Sequence, residues 1–440
     1  MTGEAIRDMI KHYVLQSWSV QKTINPIPVE KAEGIYFWDS DGKRYTDMSS
    51  QLVNLNLGFG NKAIGDAIKA QVDQYCFLSP GYGSEVRAKL AGKIVSLMPD
   101  NMAKVFFTNA GAEANENAIK MARMVTGRWK VFSRYRSYHG ASFGAGNLTG
   151  EPRRYPLEPG IPGFIKFFDP YMYREAIRFE SEEEASAYYL AKLEEQIQYE
   201  NPTTIAAIVM ETITGSNGVI IPPKGYLPGV RALCDKYGIM MILDEVMTGW
   251  CRTGRMFGFE NFGVKPDIVS FAKGVTCGYV PLGGVVVSKQ VAEYFDDHFL
   301  SCGLTYSGHP LACAAGLACV SYYEENDVAA HVTEVGKVLK AQLEALKEKH
   351  ACVGDIRSIG LFSSAELVKD KETREALVPY GGDSKGVMKG ILGKLFAKGF
   401  MTYTHENMII IAPALIITED QLVEELKKLD EVLTEVDASL

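Results

Sequence analysis

The chain has 440 residues, 47% of them hydrophobic and 23% charged, with a net charge of −8. Such a composition can bury a large core over two or three domains, and the acidic balance speaks against nucleic acid, which calls for a basic face. The start carries Glu4, Arg7, Asp8 and Lys11 and lacks a signal's apolar core, no run nears the ~18 apolar residues of a membrane helix, and the 8 cysteines include no C-x-x-C pair; a reduced, cytoplasmic protein with no membrane partner and no metal is expected.

Residues 1–32 read as an irregular arm or short helix and a segment broken by Pro26 and Pro28. Gly34–Trp38 and Lys43–Met48 flank Asp39-Ser40-Asp41-Gly42, a hairpin with an Asp-Gly turn. Ala63–Gln74 and Ser84–Met98 follow as amphipathic helices. From about residue 104 strands and helices alternate. Strands are expected at Lys104–Thr108, Lys130–Ser133, Ile205–Glu211, Ile239–Asp244, Asp267–Phe271 and Gly284–Ser288. Helices are expected from Gly111 to about Val125, at Glu182–Tyr199 and at Gly225–Tyr237. Residues 144–180 form a long Gly/Pro/aromatic excursion, and long loops are often functional. Alternation of this kind implies a parallel sheet with helices on both faces.

Past Leu311 the character changes. Long helices are expected at Ala312–Glu325 and Val328–His350. A strand (Ile359–Leu367), a helix (Lys385–Lys398), two short strands (Phe400–Tyr403, Met408–Ala412) and a final helix (Thr418–Asp437) complete a smaller α+β domain. Thr418 with Gln421 makes a capping box at the last of these. The organisation reads as 1–59, an N-terminal segment and hairpin packing with the small domain; 60–320, a large α/β domain; and 321–440, the small α+β domain.

Two stretches carry the chemistry. Ile239–Leu243 is an apolar run ending in Asp244-Glu245, and Ser270-Phe271-Ala272 ends in Lys273-Gly274. Both read as buried parallel strands, so Asp244 and Lys273 fall at carboxyl ends, where open α/β sheets bind ligands. A buried carboxylate needs a cation, and a buried ammonium tends to lose its proton. Pyridoxal 5'-phosphate answers both: its pyridine nitrogen pairs with Asp244, and its aldehyde captures Lys273 as a Schiff base. The acidic motif of a P-loop ATPase is the rival, but no G-x-x-x-x-G-K-[ST] loop exists; Gly390-Ile391-Leu392-Gly393-Lys394 has the wrong spacing. A solvated acid and lysine stay open at this point.

Further segments converge on the same sheet edge. Asn109-Ala110-Gly111-Ala112 opens a helix whose free amides suit a phosphate, though an ordinary strand–helix turn reads the same way. Ser137-Tyr138-His139-Gly140 offers an aromatic to stack on a ring, or a packed surface tyrosine. Glu211 ends another apolar strand. Gly303–Pro310 is a loop of small and hydroxyl residues before a helix.

In order and spacing these five motifs resemble the class III (ω-amino) aminotransferases of PLP fold type I, over nearly the whole chain. The resemblance implies a mainly parallel seven-stranded sheet with helices on both faces, plus the smaller α+β domain. It implies Lys273 as the covalent anchor, Asp244 on the pyridine nitrogen, Tyr138 and Val246 on the two ring faces, and His139 and Glu211 nearby. Gly111 and Ala112 would hold the phosphate, and Thr305 would reach the partner's phosphate in a homodimer with sites at the interface. Branches acting on ornithine and 4-aminobutyrate carry an arginine where this chain has Ala141. Ala110 replaces a common hydroxyl, Met247 a common glutamine, and Tyr403 stands where many ω-amine:pyruvate enzymes carry a mobile arginine. The chain looks most like taurine aminotransferases of the 2-oxoglutarate-using type, with substrate contacts implied at Val53, Tyr82, Arg154 and Tyr403. Arg154 is the choice for the sulfonate, although a solvated arginine reads the same way. The alternatives are an ω-amine or β-alanine/4-aminobutyrate:pyruvate enzyme, a non-transaminating relative such as an aminomutase, or a non-catalytic scaffold.

Overall fold

A computed structural model describes residues 1–440. Its centre is a sheet of seven strands: β1 (Met102–Thr108), β2 (Lys130–Arg134), β3 (Phe164–Phe167), β4 (Ile205–Glu211), β5 (Met240–Asp244), β6 (Ile268–Phe271) and β7 (Gly283–Ser288). They lie in the order β1-β7-β6-β5-β4-β2-β3. Only β7 runs against its neighbours.

Every residue of β4 and of β5 is buried, which explains their unbroken apolar runs. The side chains alternate between two cores. Ile208, Met210, Met241 and Leu243 join the larger one; Ala207, Val209, Met240 and Ile242 join the other. The second core is closed by the helix Gly111–Thr126 through Ala114, Ala118, Ile119 and Ala122. The three alanines among them let the helix approach the sheet closely.

A second, antiparallel sheet holds Val353–Ile359, Phe362–Asp370, Met408–Ile411 and Tyr403–His405. A third joins the chain's two ends: Val29–Glu33, Tyr36–Asp39 and Arg44–Asp47, with Phe400–Met401 added in parallel. The N-terminal hairpin therefore continues into the C-terminal part. Thr418 and Gln421 form the capping box of the last helix, Glu419–Asp437.

Several elements depart from the sequence expectation. β3 lies inside the 144–180 excursion. It is a sheet edge paired only with β2, and four residues flanked by Gly163 and Pro170 carry too little pattern to stand out. The single strand expected at Ile359–Leu367 is two, turned at Gly360 with φ +56°. The first of them is half polar and half-buried, which hid it. Val29–Glu33 is a polar edge strand, and Lys289–Asp297 an additional helix.

Just beyond β5, Glu245 braces the site edge. Its buried carboxylate accepts from Thr248 Oγ1 (2.8 Å), Gly258 N (2.7 Å), Phe259 N (3.0 Å) and the Thr212 hydroxyl. Glu245→Leu leaves four buried donors without a partner and is expected to destabilise the fold by about 3–5 kcal/mol. Chemical denaturation measures this; a loss below ~1 kcal/mol would mean that the donors find other partners.

Candidate active site

The carboxyl ends of β1, β2, β4, β5 and β6 meet at a cavity of about 560 Å³. It is lined by Gly111, Ala112, Tyr138, His139, Ala141, Glu211, Asp244, Val246, Met247 and Lys273, among others. Each group arrives where its strand ends and the chain turns, because a turn can present a side chain that a paired strand must hide.

Lys273 follows β6 with φ +52°. For a non-glycine residue that conformation costs roughly 1–3 kcal/mol and persists only where the surroundings enforce it. The side chain keeps some accessible surface where it lines the cavity. Burial pushes its ammonium down to about 8; the Asp244 and Glu211 carboxylates oppose this, and Arg153 and Arg252 add to it. An appreciable fraction of the amine is therefore neutral, and so nucleophilic, near neutral pH.

Asp244 is buried. Its Oδ2 accepts from Asn115 Nδ2 (2.7 Å) and His139 Nδ1 (2.8 Å), and its Oδ1 from Val246 N (3.0 Å). Because His139 Nδ1 faces a carboxylate, it carries the proton, and buried Nε2 is left without a partner. Three donors converge on Asp244 and fix its direction. Glu211 accepts from Tyr138 N (3.1 Å) and Gly215 N (2.6 Å), and burial pushes its carboxyl up. The helix Gly111–Thr126 has no side-chain cap, since its N-cap is Ala110. The Gly111 and Ala112 amides bond to nothing within the chain. A Cβ at Gly111 would meet Val246 Cγ2 at 2.8 Å, so Val246 closes directly over that glycine.

This donor set fits pyridoxal 5'-phosphate. Asp244 would hold the pyridine nitrogen, the Gly111 and Ala112 amides the phosphate, and Tyr138 and Val246 the ring faces. Lys273 supplies the amine.

The expected substrate residues divide. Val53 is buried beneath the wall, with φ +55°, in a small apolar cluster that Tyr403 and Met247 pack against; Leu52 and Asn54 line the cavity instead. Burial pushes the Tyr403 phenol up, and the charges of Arg153 and Glu211 reach it. Tyr82 and Thr305 are exposed and outside this cavity. Arg154, expected at the sulfonate, faces away from the cavity: it pairs with Glu158, donates to Gly150 O (3.0 Å), and lines a separate cleft. The neighbouring Arg153 does not line the cavity either, but it packs on Tyr138, which does, and its charge reaches Lys273 and Tyr403. Its guanidinium carbon lies 3.8 Å from the centre of the Tyr138 ring and 5.4 Å from that of Trp18. Trp18, largely exposed in the N-terminal arm, meets Tyr138 edge-on at 6.4 Å. The sequence signal for Arg153 was the Arg-Arg pair itself; for Trp18 there was none.

Fold and site define a PLP-dependent transferase, and the family model for class III aminotransferases matches residues 17–433. The chain belongs to that family: it is an aminotransferase that takes a small-molecule amine and a keto acid and uses pyridoxal 5'-phosphate. A taurine:2-oxoglutarate aminotransferase from Bifidobacterium kashiwanohense, solved with PLP and glutamate, is 56% identical with a TM-score of 0.98, covering 100% of this chain and 99% of its own. An (S)-enantioselective ω-transaminase from Thermomicrobium roseum is 34% identical with a TM-score of 0.94, covering 99% of each chain. A taurine–pyruvate aminotransferase of Bilophila wadsworthia is 33% identical over 97% of this chain and 96% of its own.

Two predictions follow from this geometry. With Lys273 titrating at about 8, its neutral fraction grows about tenfold per pH unit below that value and saturates above it. The rate at which apoprotein acquires cofactor, followed by absorbance, should trace the same curve; a flat rate between pH 6 and 8 would contradict it. Asp244→Asn should retain cofactor yet slow proton abstraction by about 10²-fold or more, as lost charge stabilisation in a dry site does. Single-turnover rates with donor amine test this, and an unchanged rate would remove Asp244 from its role.

Proposed function

We propose that the chain moves the amino group of taurine to 2-oxoglutarate, giving sulfoacetaldehyde and glutamate. The observation that carries this reading is Arg153, whose Nη1 has no hydrogen-bond partner within the chain while its guanidinium carbon lies 3.8 Å from the centre of the Tyr138 ring. A sulfonate two carbons from an amine, and the distal carboxylate of 2-oxoglutarate, both need such a cation. Ala141, in the cavity wall, leaves no cation at that position, so a donor's anionic end is recognised elsewhere. The 56% identity to a taurine:2-oxoglutarate enzyme supports the same choice.

Bound pyridoxal phosphate supplies an aldehyde for the donor amine and a ring that takes up electrons. Lys273 Nζ, once released, takes the proton from the donor carbon next to nitrogen and later returns one. Asp244, directed by Asn115 and His139, keeps a proton on the ring nitrogen. Tyr138 and Val246 flatten the space between them. Arg153 fixes the far end of the donor, so that the carbon to be deprotonated stays near Lys273.

The working form proposed is a cytoplasmic homodimer. Phe77, Tyr82, Phe299 and Tyr306 are exposed aromatics on two loops. Thr305 sits on one of these loops, free to serve a partner's phosphate.

A donor–acceptor matrix tests the assignment: taurine, β-alanine, 4-aminobutyrate, putrescine and an aryl amine, each against pyruvate and 2-oxoglutarate. Taurine with 2-oxoglutarate should lead. Arg153→Ala should lower kcat/KM for taurine by about one to two decades, the equivalent of one charge-assisted contact at ~1.5–3 kcal/mol. The aryl amine should lose far less. Equal losses would take Arg153 out of the substrate site, and a preference for the aryl amine with pyruvate would move the enzyme to the amine:pyruvate branch.

A further inference from the structure

Arg153 already carries an anion. Its Nε donates to Glu151 Oε1, and Nη2 donates to Ser216 Oγ at 3.1 Å. Glu151 is only 2% exposed. His405 Nε2 lies 3.9 Å from Glu151 Oε2 and is buried without a hydrogen-bond partner. Burial pushes His405 down to about 4, so it is neutral and gives Glu151 no charge. Tyr138, Tyr380 and Glu406 also feel the Glu151 charge, and Glu406 is itself paired with Arg136 at 3.1 Å. Arg153 is thus the one cation that touches Glu151.

A substrate's anionic end arriving at Nη1 places two anions on one guanidinium. A transaminase must also release one anionic substrate before it admits the next at the same site. We propose that Glu151 is a positioning residue and a built-in competitor: it fixes Arg153 over Tyr138 and part-neutralises it, so that anionic substrates bind specifically and still leave. The inference rests on the reading of Arg153 as the receiver of the substrate anion. The Nε contact sets the orientation of the guanidinium plane, and Ser216 holds its other end. Unpaired Nη1 is what remains for substrate. The Glu151 charge subtracts from the attraction at that nitrogen, because like charges a few ångströms apart repel strongly in a partly dry site.

Equilibrium binding of ethanesulfonate and of glutarate to the PLP-loaded enzyme, by calorimetry, separates position from charge. Glu151→Gln keeps an oxygen for Arg153 Nε and removes the charge; both probes should bind about tenfold tighter. With taurine the same variant should lower KM and kcat together, because release slows, whereas the single-turnover half-reaction with the aryl amine, which brings no anion to Arg153, should change far less. Glu151→Ala removes the anchor as well and should bind both probes more weakly than wild type. If the Gln variant does not load cofactor, Glu151→Asp retains the charge but draws it back by one methylene. Arg153 then moves off Tyr138 and both dissociation constants should rise severalfold. Unchanged constants in the Gln variant, or failing that in the Asp variant, overturn the proposal. Arg153→Ala separates the two levels: probe binding that survives it brings down the Arg153 reading itself. Binding that is lost there, yet indifferent to Glu151, brings down only the role given to Glu151.

Discussion

The structure turns on one electrostatic constraint, the Asp244 carboxyl and a reluctantly charged Lys273 held at adjacent strand ends in a buried place. A carboxylate at that depth is tolerable only because three donors, from Asn115, His139 and Val246, converge on it. Those donors come from different stretches, so the helix Gly111–Thr126, the loop after β2 and the turn after β5 must all register on one point. Lys273 makes the opposite demand. Its burial weakens the charged form and leaves an amine able to react, while its left-handed backbone stores strain at the same residue. The seven strands and their two cores amount to a scaffold that keeps these two groups facing one cavity.

Around these two groups, polar side chains bridge separate parts of the chain. Arg153 belongs to a short turn after β2, Trp18 to the N-terminal arm, and Tyr403 and His405 to the antiparallel sheet of the C-terminal part. A neighbouring buried cation, Arg252, has no carboxylate partner. It donates instead to Leu361 O (2.9 Å), Pro413 O (2.6 Å), Ser50 Oγ (3.1 Å) and Asn56 Oδ1 (2.9 Å). These bonds tie the strained stretch Ser50–Val53, with three non-glycine residues at positive φ, to the C-terminal part. This side of the site is therefore assembled at a junction between separate parts of the chain.

Much of the scaffold and its reactive core was legible in the sequence, because the signals are local. A strand buried on both faces must be apolar throughout, so a polar residue at its end marks the sheet edge; Asp244, Glu211 and Lys273 all declare themselves this way. The capping box at Thr418 and the Asp-Gly turn are likewise written within a few residues. Only the tertiary structure could show that Arg153, and not Arg154, packs on Tyr138. Consecutive residues of a 3₁₀ turn point about 120° apart, and which one meets Tyr138 depends on where that turn packs. The same holds for Trp18, carried to Tyr138 by an arm with no periodic pattern, and for β3, whose strand character comes from its partner β2. It holds too for the sheet that joins residues 29–47 to Phe400–Met401. Local pattern determines what each segment can be. Contacts between segments a hundred or more residues apart are set by packing of the whole core, and no short window of sequence contains that information.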